Sequence, residues 1–186
     1  STGSLSWTSG RTSFDDAAAA ASDAATARSS GTFSKWNVNL ARLQGLTPRD
    51  SLYLSFSGQW ADRNLDSAEK MAIGGPYTVR AYDIGALSGD TGYAASVEMR
   101  HELGRLLSGS WQAQVFIDNA YVKVNRQPWA VTVNSATLSG AGVGLSWVGP
   151  DLWRASAAVA TRVGAVPALL SRQSSAHAWL LVSKAF

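Results

Sequence analysis

The chain has no cysteine, few charged residues and no long apolar run. Charged residues make up 16% of its 186 residues, compared with roughly 25% in an average soluble domain. The lack of cysteine excludes a disulfide framework and thiolate chemistry. No stretch of about 18 apolar residues is present, so the sequence offers no transmembrane helix. Two classes remain: a soluble all-β domain, or strands that cross a membrane with one apolar face.

Basic residues are spread along the chain rather than gathered into a patch. The formal net charge is +3, and no basic stripe is interleaved with aromatic residues, so nucleic acid is not an expected partner. The chain opens at Ser1 without a signal peptide. Because a protein of the outer membrane requires one, that class predicts further residues upstream of this chain.

Eight segments in which apolar and polar residues alternate predict β-strands. Most of them span about 10–13 residues, which suits a tilted strand across a bilayer, whereas strands of soluble proteins usually have about five or six. The predicted strands cover residues 3–13, 32–43, 50–62, 91–103, 109–122, 136–148, 151–163 and 175–186.

The alternation is clearest in the third predicted strand. One face carries Leu52, Leu54, Phe56 and Trp60, and the other carries Tyr53, Ser55, Ser57 and Gln59. A membrane barrel needs this pattern, with apolar side chains toward lipid and polar ones toward a wet lumen. A soluble antiparallel sandwich also alternates. Strand length favours the barrel, as do the tryptophans near strand ends, namely Trp36, Trp60, Trp111, Trp147 and Trp153.

The connections between the predicted strands are alternately long and short. The short ones lie at 44–49, 104–108 and 149–150, and the long ones at 14–31, 63–90, 123–135 and 164–174. Outer-membrane barrels have short periplasmic turns and longer extracellular loops, so this order favours a barrel with Ser1 and Phe186 on the periplasmic side. The Ala-rich segment 15–27 could form a short helix or a mobile loop, and we favour a loop.

The 63–90 connection carries the most specific motifs. It exceeds the length of about 15 residues beyond which a loop is usually functional or disordered, and its apolar side chains favour packing over disorder. The motifs are NLDSAEK (64–70), IGGPYTVRAY (73–82), GDTGY (89–93), EMR (98–100), FID (116–118) and the terminal Phe186. Together they resemble the outer-membrane transporters of two-partner secretion, called TpsB or haemolysin secretion/activation proteins, of the POTRA-barrel superfamily.

This resemblance implies a loop that folds into the barrel lumen. The family's loop tip reads Val-Arg-Gly-Tyr or Val-Arg-Gly-Phe, and its arginine contacts acidic residues on the wall. The matching tip here is Val79, Arg80, Ala81 and Tyr82, after the Gly74-Gly75 turn. Ala81 stands in place of the glycine, which would be strained if the position requires a positive φ.

The expected partners of Arg80 lie on two neighbouring strands. Alternation places Asp118 on the inward face two residues from Phe116, and it also places Glu98 and Arg100 inward. We therefore predict that Arg80 pairs with Asp118, with Glu98 nearby, because a planar guanidinium can bond carboxylates bidentately. A lone arginine in water is the alternative.

Three glycines at alternate positions lie on one face of the sixth predicted strand. They are Gly140, Gly142 and Gly144, and their spacing fits neither a P-loop nor a dinucleotide fingerprint. They leave room either for the inward loop to pack closely or for a bend that helps the wall to curve. The sequence favours the two readings equally.

The C-terminal segment resembles the signal that the barrel-assembly machinery reads. Leu180, Val182 and the terminal Phe186 supply its apolar residues at alternate positions, whereas Lys184 departs from the pattern. Two histidines, His101 and His177, lack partners for a catalytic triad and are interpreted as surface residues.

The predicted fold is therefore all-β, a transmembrane antiparallel barrel. The resemblance implies that these are about eight C-terminal strands of an expected sixteen. POTRA domains and the N-terminal strands would lie outside residues 1–186. The resemblance implies export of a large partner protein, such as a haemolysin, adhesin or contact-inhibition toxin, through the bacterial outer membrane. It implies contacts with lipid, lipopolysaccharide and the barrel-assembly machinery. No catalytic residue, metal or cofactor is expected. An assembly factor of the same superfamily is the first alternative, and an outer-membrane enzyme or a porin is the second.

Overall fold

The computed structural model describes residues 1–170 and 174–185 and contains an antiparallel sheet of eight long strands. The elements are β1 (Thr2–Thr12), α1 (Ala17–Ala25), β2 (Gly31–Gly45), β3 (Asp50–Ala61), a 3-10 turn (Ser67–Glu69), β4 (Met71–Ile73), β5 (Leu87–Gly89), β6 (Thr91–Leu106), β7 (Gly109–Lys123), β8 (Ser135–Val148), β9 (Trp153–Arg162) and β10 (Ala176–Lys184). The eight predicted strands are confirmed, with ends that shift by a few residues. Neither helix of the described residues is long and apolar enough to cross a membrane.

Each long strand pairs with its neighbours along the chain. The order in the sheet is β1-β2-β3-β6-β7-β8-β9-β10, and β4 and β5 form a separate two-stranded hairpin. Short turns join the strands at one end of the sheet, which we call the short-turn end. The connections 13–30, 62–90, 124–134 and 163–175 lie at the opposite end, which we call the long-loop end.

Side chains alternate between two faces of the sheet, as its pleat requires. We call the face that carries Glu98 and Asp118 the inner face, and the opposite one the outer face. The outer face exposes aliphatic residues from neighbouring strands, including Val97, Val115, Ile117, Val143 and Val159. Two tryptophan pairs lie on it, Trp7 with Trp36 and Trp111 with Trp147, each with ring centroids 6.5 Å apart. This apolar face with aromatic residues toward its edges is typical of strands that meet lipid.

The main hydrophobic cluster lies on the inner face, not between two sheets. The 62–90 connection folds back and packs against strands β6 to β9. The cluster comprises Ile73, Val79, Ala81, Tyr82, Ala94, Phe116, Ala120, Val122, Ala136, Leu138 and Ala160. A loop therefore supplies the second layer that a one-sided sheet needs.

The first long connection contains a helix, so the favoured loop interpretation of 15–27 is wrong. Helix α1 begins after Asp16, whose carboxylate accepts a hydrogen bond of 2.8 Å from the amide of Ala19. This N-cap precedes five consecutive alanines, the residues with the highest helix propensity. A helix of this kind shows no alternation of apolar and polar residues, so only the N-cap and the run of alanines indicate it.

Asp23 fastens the segment that follows α1. Its carboxylate accepts hydrogen bonds from the amide and hydroxyl of Ser29, at 2.9 and 2.8 Å, and from the amide of Ser30, at 3.0 Å. Burial opposes ionisation of this group, but the hydrogen bonds from Ser29 and Ser30 outweigh it and, with the charge of Arg63, lower the pKa of Asp23 below its ordinary value.

Acidification should therefore loosen this segment. A lowered carboxylate pKa stabilises the fold above the unfolded-state value, and this contribution is lost as the pH falls through the folded-state pKa. Hydrogen exchange of the Ser29 and Ser30 amides, corrected for intrinsic rates, should keep its protection from pH 7 down to about pH 4 and lose it as the pH falls further. Asp23→Asn should produce the same loss at pH 7, and Asp15→Asn, an exposed neighbour, should not.

The outer face should tolerate a charge poorly near the middle of the strands. Ile117 lies near the middle of β7 and is 63% exposed; if it meets lipid, Ile117→Arg should destabilise the folded protein by about 2–4 kcal/mol. Ser55→Arg, on the inner face of β3, is the matched control. Unfolding followed by heat-dependent electrophoretic mobility distinguishes the two, and equal stability of both variants would contradict a lipid-facing outer face.

Candidate functional site

The inward loop consists of a short hairpin and a compact tip. Strands β4 and β5 form the hairpin, and residues 74–85 form the tip. The tip is closed by a hydrogen bond of 3.1 Å from the amide of Gly75 to the carbonyl of Tyr82. Gly74 and Gly75 have φ values of 107° and 103°, which favour glycine, and a side chain at Gly74 would collide with the carbonyl of Asp83. The Gly-Gly pair therefore permits the turn that carries Arg80 to the wall.

Arg80 is held by Asp118 through three hydrogen bonds. The Arg80 Nε and one terminal nitrogen donate to the two oxygens of Asp118, at 2.9 and 2.7 Å. The Arg80 amide donates to the same carboxylate at 3.0 Å. Both residues are buried, so the predicted pair is present and has the bidentate geometry that a guanidinium permits.

Glu98 completes the charge balance of the site. It accepts a hydrogen bond of 2.8 Å from the other terminal nitrogen of Arg80, and its second oxygen accepts two bonds from Arg100, at 2.8 and 2.6 Å. The hydroxyl of Ser96 donates to Asp118 at 2.7 Å and accepts from Arg80 at 2.9 Å. Two carboxylates thus neutralise two guanidiniums, and removing one partner of such a buried pair typically costs about 3–5 kcal/mol.

Phe116 lies beneath the guanidinium of Arg80. The guanidinium carbon is 3.3 Å from the centroid of the Phe116 ring, a cation–π contact. Phe116 and Asp118 share the inner face of β7 because residues two apart on a strand point to the same side. The Phe-x-Asp spacing therefore places a flat apolar surface and a carboxylate under one arginine.

Gly140 provides the space for the loop tip. A Cβ atom at Gly140 would lie 2.5 Å from the Cβ of Ala81, and one at Gly142 would lie 2.5 Å from the Phe116 ring. Of the two readings of these glycines, the structure therefore places the loop next to Gly140. Ala81 itself has a negative φ, so its methyl group creates no backbone strain in place of the family's glycine.

Two contacts from β10 were missed in the sequence. The indole nitrogen of Trp179 donates to the carbonyl of Arg80 at 2.7 Å, and His177 Nε2 lies 2.9 Å from an oxygen of Asp83. The His177 and Trp179 rings are stacked with centroids 6.1 Å apart. The surface interpretation of His177 is therefore wrong, because the loop tip covers it. Alternation had placed His177 inward, but it gives no sign of which loop reaches it.

Two residues of the predicted assembly signal point away from the inner face. Leu180 and Val182 are exposed on the outer face of β10, and Phe186 lies outside the described residues. The ammonium of Lys184 lies 5.5 Å from the centroid of the Trp153 ring.

The arrangement of the site is suited to holding the loop in place. Its buried polar groups bond to one another and to the loop backbone. Within residues 1–170 and 174–185, no group of three or more histidine, cysteine, aspartate or glutamate side chains is placed to hold a metal ion.

A side chain at position 140 should unseat the tip. Gly140→Leu would overpack the contact with Ala81, and overpacking typically costs about 1–3 kcal/mol. In a chain that has no cysteine, a Val79→Cys reporter, buried in the wild type, should then react faster with a maleimide. Gly45→Ala is the control because a Cβ there meets nothing within 4 Å. Unchanged reactivity in the Gly140→Leu background would contradict this packing.

Known proteins resemble this chain in sequence. Residues 1–147 match the family described as haemolysin secretion/activation protein ShlB/FhaC/HecB. The chain is 33% identical over 118 residues to the heme/hemopexin transporter protein HuxB of Haemophilus influenzae (strain 86-028NP), covering 62% of this chain and 21% of that protein. HuxB of strain ATCC 51907 / DSM 11121 / KW20 / Rd is 31% identical over 117 residues, with coverage of 61% and 21%.

A solved structure shares the fold. CdiB from Escherichia coli superposes with a TM-score of 0.69 at 24% sequence identity, covering 84% of this chain and 28% of that one. The chain spans about a fifth of the length of the curated relatives it matches. The family match extends over most of the chain, so the resemblance inferred from the motifs is confirmed. The chain belongs to the haemolysin secretion/activation protein family, whose members are outer-membrane transporters of two-partner secretion.

Proposed function

We propose that this chain forms the C-terminal half of an outer-membrane pore that exports a large partner protein. The observation that carries the proposal is the way the inward loop is held: Arg80 lies buried on the inner face between Asp118 and Glu98. A loop anchored in this way narrows the lumen and holds a defined position beside the transport path. The short-turn end of the sheet, with Thr2 and Lys184, faces the periplasm.

The loop occupies only one side of the inner face. It packs on β6 to β9, and a groove of about 400 Å³ remains between it and strands β1 to β3. Uncharged residues line this groove, among them Ser4, Asn39, Tyr53, Ser55 and Ser57. The loop residue Tyr77 borders the groove and is 85% exposed. Hydroxyl and amide groups of this kind can bond an extended polypeptide without holding it through strong charge pairs.

Charge is distributed unevenly over the inner face of the described strands. By alternation and register, the inner face of β1 to β3 carries one charged residue, Lys35, which pairs with Glu69 at 2.9 Å. The charges of Arg80, Glu98, Arg100 and Asp118 compensate one another on the other side. This arrangement supports passage of a protein more than selection of small ions, which a porin achieves with charged rings.

The partner is a secreted protein that the pore passes to the cell surface, of the haemolysin, adhesin or contact-inhibition toxin type. The name of the curated relative HuxB adds heme or hemopexin handling as a further partner class. The pore performs no enzymatic turnover. Its outer face contacts lipid and lipopolysaccharide, and Leu180, Val182 and Phe186 guide insertion by the barrel-assembly machinery. The family match supports the secretion branch over the assembly-factor alternative.

Removing the loop anchor should impair export. Arg80→Ala leaves Asp118 and Glu98 without their shared guanidinium, so the loop tip loses its anchor. We expect the amount of exported protein in the medium to fall at least about tenfold. A tenfold change in an equilibrium corresponds to about 1.4 kcal/mol, which is less than the typical cost of breaking such a pair. Arg80→Lys should not restore export because an ammonium cannot bond Asp118 and Glu98 in the same fork. The measurement is secreted partner relative to the amount of pore in the outer membrane.

Arg42→Ala is the matched control for this experiment. Arg42 is exposed and bonds only to Gln44 among the described contacts, at 2.8 Å, so the variant should export at the wild-type level. Wild-type export by Arg80→Ala at a normal pore level would show that the anchor has no role in transport, and the proposal would fail.

A further inference from the structure

A second buried acidic group lies at the long-loop end, outside the site of Arg80. Asp90 immediately precedes β6, and its side chain is fully buried. One oxygen accepts the amide of Leu65 at 3.1 Å and lies 3.1 Å from the ammonium of Lys70. The other oxygen accepts the amide of Arg126 at 2.7 Å. One carboxylate thus binds both ends of the inward loop and the connection between β7 and β8.

Asn64 extends these links to a third connection. Its amide nitrogen donates to the carbonyls of Ala27 and Gln127, at 2.6 and 2.8 Å, and its oxygen accepts the amide of Gln127 at 2.7 Å. Arg63 adds bonds of 3.0 Å to the carbonyls of Arg28 and Thr32. The connection that contains α1 is therefore tied to the same group of residues.

Lys70 completes the cluster from the opposite side. Its ammonium donates to the carbonyl of Val124 at 2.6 Å and to the side chain of Asn125 at 3.0 Å, besides its pair with Asp90. Asn64, Lys70 and Asp90, with the backbone groups they bind, form what we call the rim frame. Among the hydrogen bonds of residues 1–170 and 174–185, none joins the rim frame to the Arg80 site, and the two share no bonded residue.

The two sets of contacts differ in what they hold. The Arg80 site fastens the loop tip to the wall of β6 and β7, deep on the inner face. The rim frame fastens the base of the loop, where the chain leaves β3 and enters β6, to the two connections beside it. Glycines with positive φ, Gly74, Gly75 and Gly85, separate the tip from this base. The base can therefore stay fixed whether or not the tip moves.

We propose that Asp90 and Asn64 are positioning residues that join the three connections 13–30, 62–90 and 124–134 into one fixed rim, and that this rim stays closed while a polypeptide is exported. This inference rests on the proposed export function. The emerging chain then leaves the pore beside the rim frame, along the side of the groove that Ser55 and Tyr77 border, and not between the tied connections.

The first test separates the rim frame from the tip. Asp90→Asn offers one acceptor oxygen in place of two and directs an NH2 group at a backbone donor. A Leu65→Cys reporter, 2% exposed in the wild type, should react about tenfold faster with a membrane-impermeant maleimide in this background, since a buried donor is left unsatisfied. A Val79→Cys reporter in the tip should react at its original rate. The control is Asp66→Asn, on the same connection outside the rim frame.

Either of two results would overturn the assignment of Asp90. If both reporters become reactive together, the rim and the tip form one unit. If neither changes, Asp90 does not hold the connections. This labelling is done on the intact outer-membrane protein and needs no exported partner, so it remains informative even if the proposed function fails.

The second test asks whether the rim stays closed during export. Asn64 and Gln127 lie on two connections and are hydrogen-bonded, and the chain has no other cysteine. Asn64→Cys with Gln127→Cys therefore introduces one pair of thiols, and loss of free thiol on oxidation verifies that the disulfide has formed before export is measured. The oxidised double variant should export its partner within about twofold of the same variant after reduction, because both states lack the Asn64 side chain and a rim that stays closed loses nothing when it is crosslinked. Export that stops on oxidation and returns with reductant would overturn the closed rim. Each single cysteine variant, treated in the same way, is the control.

Discussion

The structure depends on one buried guanidinium. Arginine cannot give up its proton inside a protein, so the buried guanidinium of Arg80 needs neighbouring groups that balance its charge. Asp118 and Glu98 meet this requirement from two adjacent strands, and the ring of Phe116 covers one face of the guanidinium. The position of the loop tip follows from this pairing, and the absence of a side chain at Gly140 follows from the position of the tip. The position of the loop in turn decides which part of the inner face it covers, β6 to β9, and which part it leaves as a groove, along β1 to β3.

Alternation in the sequence was enough to predict the wall. The period of two placed Glu98 and Asp118 on the same face as Arg100 before any contact was known, because pleating sends every second side chain to one side. Strand length and the order of long and short connections distinguished a membrane sheet from a soluble one. The pairing of Arg80 needed the family motif, since nothing in the composition of a loop indicates which wall residue it reaches.

What the sequence could not predict was mostly non-local. Helix α1 is an exception, because its five alanines after Asp16 are a local helix signal. The contacts of His177 and Trp179, in contrast, join residues more than ninety positions apart. Asp90 looked like one residue of a motif, and its bonds to two connections appear only when the loops are folded. A periodic pattern identifies the face on which a residue lies, whereas the partner on that face depends on the path of every connection.

The bond from Trp179 to Arg80 also has a consequence for the order of assembly. Arg80 precedes its bonding partners in the sequence. They lie 18, 38 and 99 residues further on, in β6, β7 and β10. Contacts of such separation form late, because the intervening chain must first be ordered. The loop can complete its bonds only after β10 has joined the sheet, so a fully bonded tip reports that β6, β7 and β10 are in place. A sheet without β10 would leave the carbonyl of Arg80 without its indole donor, and the loop tip would be held by fewer bonds.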